Sequence, residues 1–153
     1  MLLGLVLGCG EGAGDRWVDF HPAEVRVTIS VYDDVEEEVE IENVSGKAFE
    51  ISQGATEDAA IEEAGFSFAV SPLDANGERV SRLLLLPGES ASGEAYVYPV
   101  TKEPGTYTAE AALDIWLCQE SAEDVQGYGV CTSLQQGEPD ATAYLPVQAK
   151  LTD

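Results

Sequence analysis

Val25-Arg26-Val27-Thr28-Ile29-Ser30-Val31 alternates apolar and polar side chains without interruption. After Asp33-Asp34 the pattern resumes as Val35-Glu36-Glu37-Glu38-Val39-Glu40-Ile41-Glu42, with Val35, Val39 and Ile41 on one parity and Glu36, Glu38, Glu40 and Glu42 on the other. Successive side chains of a strand point to opposite faces, so a period of two predicts one buried and one solvated face for each stretch. Working outward, Ala48 to Gln53, Phe66 to Val70, Val80 to Leu85, Gly93 to Tyr98, Tyr107 to Leu117 and Ala141 to Leu151 read the same way. Turn residues separate them, among them Asn43-Val44-Ser45-Gly46, Pro87-Gly88 and Pro104-Gly105. Asp74-Ala75-Asn76-Gly77 predicts a type I′ turn joining the runs on either side into a hairpin. Gly54 to Gly65 reads as an acidic loop, with one helical turn as the alternative. About seven to eight antiparallel strands in this arrangement predict an all-β, immunoglobulin-like sandwich, spanning residues 17–153.

The chain has 153 residues, with 29 Asp and Glu against 7 Lys and Arg, a formal charge of −22. Such a surface repels phosphate backbones and excludes nucleic acid as the expected partner. The acid excess fits a saline habitat or a surface screened by divalent cations, and neither identifies a partner. Valine, leucine and aromatic runs exclude the composition of an acidic disordered chain.

Met1 to Gly8 is an apolar run ending at Cys9, too short for the ~20 residues that span a bilayer. Val6-Leu7-Gly8-Cys9 resembles the lipobox of bacterial lipoproteins, which implies a signal peptide over residues 1–9 with Cys9 as the lipidated mature N-terminus. Residues 10–16, rich in glycine, read as the flexible tether of an anchored domain. The expected location is therefore the bacterial envelope, periplasmic or at the cell surface, at the outer membrane in a Gram-negative cell. Cys118 and Cys131 close an acidic loop between the last two long strands, and in an exported protein they are expected to pair. Closing a loop of this length stabilises a fold by ~3 kcal/mol in the chain-entropy account. Zinc is the competing reading for these thiols, but one distant histidine leaves too few soft ligands.

Val18-Asp19-Phe20, Val39-Glu40-Ile41-Glu42-Asn43-Val44-Ser45-Gly46, Phe66, Leu86-Pro87-Gly88-Glu89-Ser90, Ala95-Tyr96-Val97-Tyr98-Pro99 and Gly105-Thr106-Tyr107-Thr108-Ala109 follow in an order that resembles the Hydin-type, major-sperm-protein-like branch of immunoglobulin-like domains. The resemblance covers most of Trp17 to Leu117, with His21-Pro22 where the family usually has glycine and with the cysteine-closed loop added. It implies an interaction or scaffolding module without catalytic residues.

Chemistry-bearing motifs are scarce. His21 is the one histidine, and it reads as a structural or surface residue, not as part of a nucleophilic mechanism. No phosphate loop or dinucleotide fingerprint occurs. Among this many glutamates any carboxylate pair is expected by chance, so no glycosidase is inferred. Asp74, Asn76 and Glu78 resemble half of a calcium loop, and Asp33 with Asp34 form a second weak cation candidate. A hairpin turn using Asn76-Gly77 explains the first group better, since the flanking strands already account for those residues, and no cofactor is required. Tyr96 and Tyr98 share a strand face opposite Ala95 and Val97; with Val97 inward the tyrosines form an exposed aromatic strip. Trp116 and Tyr128 flank the cysteine loop and either extend a binding rim or, for Trp116, pack between sheets. The expected function is a non-catalytic, surface-anchored module that contacts an envelope protein; the alternative is a calcium-dependent carbohydrate-binding module.

Overall fold

The computed structural model describes residues 16–56, 61, 63–119, 121–124, 131 and 138–153. The leader with Cys9, nearly all of the tether, and Tyr128 lie outside the described residues. Nine strands are present among them: β1 (Val18–His21), β2 (Val25–Ser30), β3 (Val35–Asn43), β4 (Phe49–Ala55), β5 (Phe66–Pro72), β6 (Arg82–Leu85), β7 (Ser90–Pro99), β8 (Gly105–Leu117) and β9 (Ala141–Thr152). The strand beyond the expected count is β1, a short element that pairs antiparallel with the last part of the chain's most acidic strand, β3.

The strand order is β1-β3-β7-β5-β4-β8-β9-β2, with β6 beside β4. Inward side chains from all nine strands meet in one apolar cluster, so the curled sheet acts as two layers over one core: β1-β3-β7-β5 and β6-β4-β8-β9-β2. The layers are joined at the end of β4, where Gly54 pairs with Val70 and Ala55 with Ala69. A bulge prepares that corner. The register of β4 on β8 shifts between Ile51 and Gly54, and the Asp114 N–H is donated to Ser52 Oγ at 3.0 Å. Bulges bend the strand that carries them. Gly54 is then required by space, because a Cβ there would lie 2.3 Å from the Ala112 carbonyl oxygen.

The expected alternation holds. Val39 and Ile41 are 1% and 0% exposed while Glu38 and Glu40 between and before them face water. Phe49, Phe66 and Phe68 are fully buried, each contributing ~1.5–3 kcal/mol of transfer free energy. Among the described residues Asn43 and Thr56 are the buried polar ones, and Asn43 is fully enclosed. Its amide nitrogen donates to the carbonyls of Lys47 (2.7 Å) and Leu85 (3.0 Å), and its side-chain oxygen accepts the Ser45 N–H at 2.9 Å. A buried polar side chain is tolerated when its bonds are made, and these bonds tie β3 of the first layer to β6 of the second.

Three local expectations are corrected. The sandwich is not wholly antiparallel: after the cis His21-Pro22 bond the chain enters the second layer, where β2 runs parallel to β9. The hairpin after β5 is short, closed by the Leu73–Arg79 bridge and by the Val80 N–H donated to the Pro72 carbonyl at 3.0 Å, and β6 pairs instead with β4. The Asn76-Gly77 turn is not type I′, which needs positive φ at both central residues, because only glycines adopt positive φ and Gly77 does so at 80°. Instead the loop closes on itself, with the Asp74 N–H donated to the Glu78 carbonyl and the Gly77 N–H to the Asp74 carbonyl, both at 2.9 Å. Between β4 and β5, the described residues Ile61, Glu63 and Ala64 are helical, the alternative to a plain loop, and Gly54 and Ala55 belong to β4.

Candidate functional site

The pleat of β7 decides where its tyrosines go. Ala95 and Val97 are both 0% exposed, so Tyr96 and Tyr98 stand on the outer face of the first layer. Tyr96 is half-buried, and its hydroxyl donates to Asp34 Oδ2 at 2.5 Å. That bond holds the phenol proton and raises its pKa above the ordinary tyrosine value. Tyr98 is 51% exposed and Tyr32, in the β2–β3 connection, 76%. Residues from Thr28 to Val35, with Tyr98, Pro99 and Lys102, enclose a cleft of about 460 Å³. Lys102 reaches into it, donating to the Val31 carbonyl at 3.0 Å with its ammonium 5.2 Å from the Tyr32 ring centroid. Aromatic faces beside the carboxylates of Asp33 and Asp34 can stack on a planar or apolar group and accept hydrogen bonds from it.

The rest of that outer face is acidic. Glu36, Glu38, Glu40 and Glu42 line β3, and Glu38 lies directly opposite Glu94 of β7. Arg79 bridges one end, at 2.8 Å from Glu94 and 3.6 Å from Glu36. At the other end β1 brings Asp19 opposite Glu42 and His21 opposite Glu40. His21 Nε2 lies 3.1 Å from Glu42 Oε1 and 4.0 Å from Glu40 Oε1. Arg16 pairs with Asp19 through both of its carboxylate oxygens, a hydrogen bond that raises the guanidinium pKa. Sequence reasoning left His21 apart from any cluster. Its parity with Asp19 was visible, but the pairing of β1 with β3 was not.

On the second layer Trp116 neither joins an exposed rim nor packs between the sheets. It is 8% exposed on the outer side of β8, with the Arg82 guanidinium 3.8 Å above its ring. Arg82 also lies 3.9 Å from Glu50. Burial raises the Glu50 carboxyl, and Arg82 pulls it part of the way back. Cys118 and Cys131 form a disulfide, and within its loop Ala122 to Asp124 make a helical turn begun by Ser121 Oγ, which accepts the Asp124 N–H at 3.2 Å. The two calcium candidates are engaged in other bonds: Asp74 Oδ1 accepts the N–H groups of Asn76 and Glu78, and Asp34 holds Tyr96.

Similarity to known proteins is confined to shape. No family model and no curated protein matches the chain. Among solved structures, the seventh PapD-like domain of human CEP192 aligns with a TM-score of 0.45 at 11% identity, over 92% of this chain and 88% of that one. SSP-19, an MSP-domain protein of Caenorhabditis elegans, gives 0.46 at 10% identity, over 86% and 97%. CfaE, the adhesive subunit of the CFA/I fimbria of enterotoxigenic Escherichia coli, gives 0.45 at 9% identity, over 92% of this chain and 49% of that one. The all-β architecture itself rests on the strands described above.

Proposed function

We propose that this chain is a non-catalytic interaction module of a bacterial envelope, held to the membrane through a lipidated Cys9 and meeting a protein partner at the tyrosine cleft. The observation that carries this reading is the exposure of Tyr32 and Tyr98 around one cleft, Tyr98 on a strand whose opposite face is fully buried and Tyr32 in the connection beside it. Large aromatic side chains presented on a rigid framework bind at low entropic cost, and tyrosine is enriched where interfaces concentrate their energy. The lipobox-like Val6-Leu7-Gly8-Cys9 supports the anchor.

Two variants separate the parts of this reading. Cys9→Ala is expected to move the protein from the membrane to the soluble fraction. In mild detergent extracts of the host membrane the native chain is expected to migrate as a complex larger than its 16.3 kDa, and the Tyr32→Ala/Tyr98→Ala double variant as the free chain. A native chain that migrates alone overturns the interaction reading, and unchanged partitioning of Cys9→Ala overturns the anchor.

A second reading, a calcium-dependent carbohydrate-binding module, is favoured by the same tyrosines beside Asp33 and Asp34, since sugars combine an apolar ring face with hydroxyl donors. Binding on a glycan array that disappears with chelator would select it.

A further inference from the structure

We propose that Asp19, His21 and Glu42 form a site for a borderline divalent cation of the Zn²⁺ class on the outer face of the first layer. The antiparallel register sets Asp19 against Glu42 and His21 against Glu40, and the pleat turns all four side chains to the same side. One ligand atom from each of Asp19, His21 and Glu42 lies within 4.8 Å of the others. Bonds of ~2.0–2.2 Å in a tetrahedral site place ligand atoms roughly 3.4 Å apart, and His21 Nε2 and Glu42 Oε1 are already at 3.1 Å. Small side-chain rotations therefore close the set, with no change in the strands that carry it.

The donor types choose the metal. One imidazole nitrogen with two carboxylates suits zinc and its neighbours, whereas calcium takes six to eight oxygens and magnesium retains most of its water. Arg16 now supplies the positive charge at Asp19, from a side chain 57% exposed. The arginine of this two-point pair is open to solvent and salt screening, and a divalent ion bonded to three donors displaces it. Three protein ligands leave one coordination position facing solvent, open to water, to Glu40 or to a donor from another molecule. This site is separate from the tyrosine cleft, and its test does not depend on the identity of a protein partner.

The test uses the full chain with zinc chloride at neutral pH and physiological ionic strength, followed by calorimetry and by the NMR signals of His21, the chain's one histidine. The expected result is one zinc bound per chain with the His21 ring signals displaced. His21→Ala is expected to weaken binding by at least about tenfold, and Glu42→Gln, which leaves the imidazole in place, to weaken it as well. Glu110→Gln on the second layer is expected to change nothing. Circular dichroism of each variant verifies folding, for which these exposed side chains are not needed. Absence of zinc binding, retention of native affinity in both His21→Ala and Glu42→Gln, or displacement of the His21 signals equally by calcium would overturn the proposal.

Discussion

On the first layer, β1, β3 and β7 turn Asp19, Glu36, Glu38, Glu40, Glu42 and Glu94 toward solvent; on the second, Glu50, Glu110 and Asp114 are matched by Arg26, Arg82 and Lys150. Both layers obey the same alternation and share one core. What differs is the chemistry of the sides that face water. Charge of one sign on neighbouring strands repels itself and opposes folding, so the acidity of the first face is not explained by stability. The His21 cluster lies on that same layer and the tyrosine cleft at its edge, where Tyr98 and Pro99 meet the end of β2; the second layer places Trp116 under Arg82, where it is covered. Folding is secured by what points inward, and the residues proposed to bind lie on, or at the edge of, one outward face.

The largest test of this contrast exchanges inside and outside on β3. Ile41→Glu places a carboxylate at a position with 0% exposure and is expected to cost about 4 kcal/mol or more, enough to unfold a marginal domain. Glu40→Ile, one residue away on the solvent side, is expected to change urea-unfolding stability by less than about 0.5 kcal/mol.

Next in size is the polar tie between the layers. Asn43→Ala removes the donor to the Lys47 and Leu85 carbonyls and leaves the buried groups without that partner, an expected loss of about 2 kcal/mol. Because the bond joins β3 to β6, hydrogen exchange is expected to accelerate in both layers. Faster exchange in one layer alone would contradict that linkage.

A smaller effect probes the charge difference directly. Glu38 faces Glu94 across β3 and β7, so Glu38→Lys is expected to stabilise the fold by up to about 1 kcal/mol at low salt, with the gain fading in molar salt. Glu110→Lys on the balanced layer is expected to give a lesser gain.

The smallest effect is a pH dependence at Glu50. Its carboxyl is raised by burial, with Arg82 opposing, so the folded state holds the proton more tightly than the unfolded chain. The associated stabilisation is present below the unfolded pKa and is lost as pH rises through the folded one. Glu50→Gln is expected to equal or slightly exceed the native chain in unfolding free energy at neutral pH, by less than about 1 kcal/mol, and to show no such gain in acid. A clear loss at neutral pH would make the Arg82 contact dominant over burial.

The sequence disclosed what each strand decides for itself. The valines of β2 and the split of Glu and Ile on β3 follow from alternation alone; on β7 alternation separates Ala95 and Val97 from Tyr96 and Tyr98 without choosing the inward pair, and only the family resemblance favours Val97. Choice of neighbour was not legible. The alternation that buries Leu85 serves equally against β5 or β4, and nothing local to Val18–His21 announces a strand that pairs with β3. For that reason the Asp19, His21 and Glu42 cluster was invisible, although each residue's parity was plain. Trp116 was misjudged for a related reason: an outward aromatic was buried by Arg82 from β6, a strand whose partner the sequence did not fix.

The most direct measurement places a photo-reactive amino acid at Tyr98 on the first layer and, separately, at Gln148 on the second, in the host cells. Cross-linked adducts from Tyr98 and none from Gln148 are the predicted result. Adducts from Gln148 alone, or equally from both, would contradict the assignment of binding to the acidic, tyrosine-bearing face.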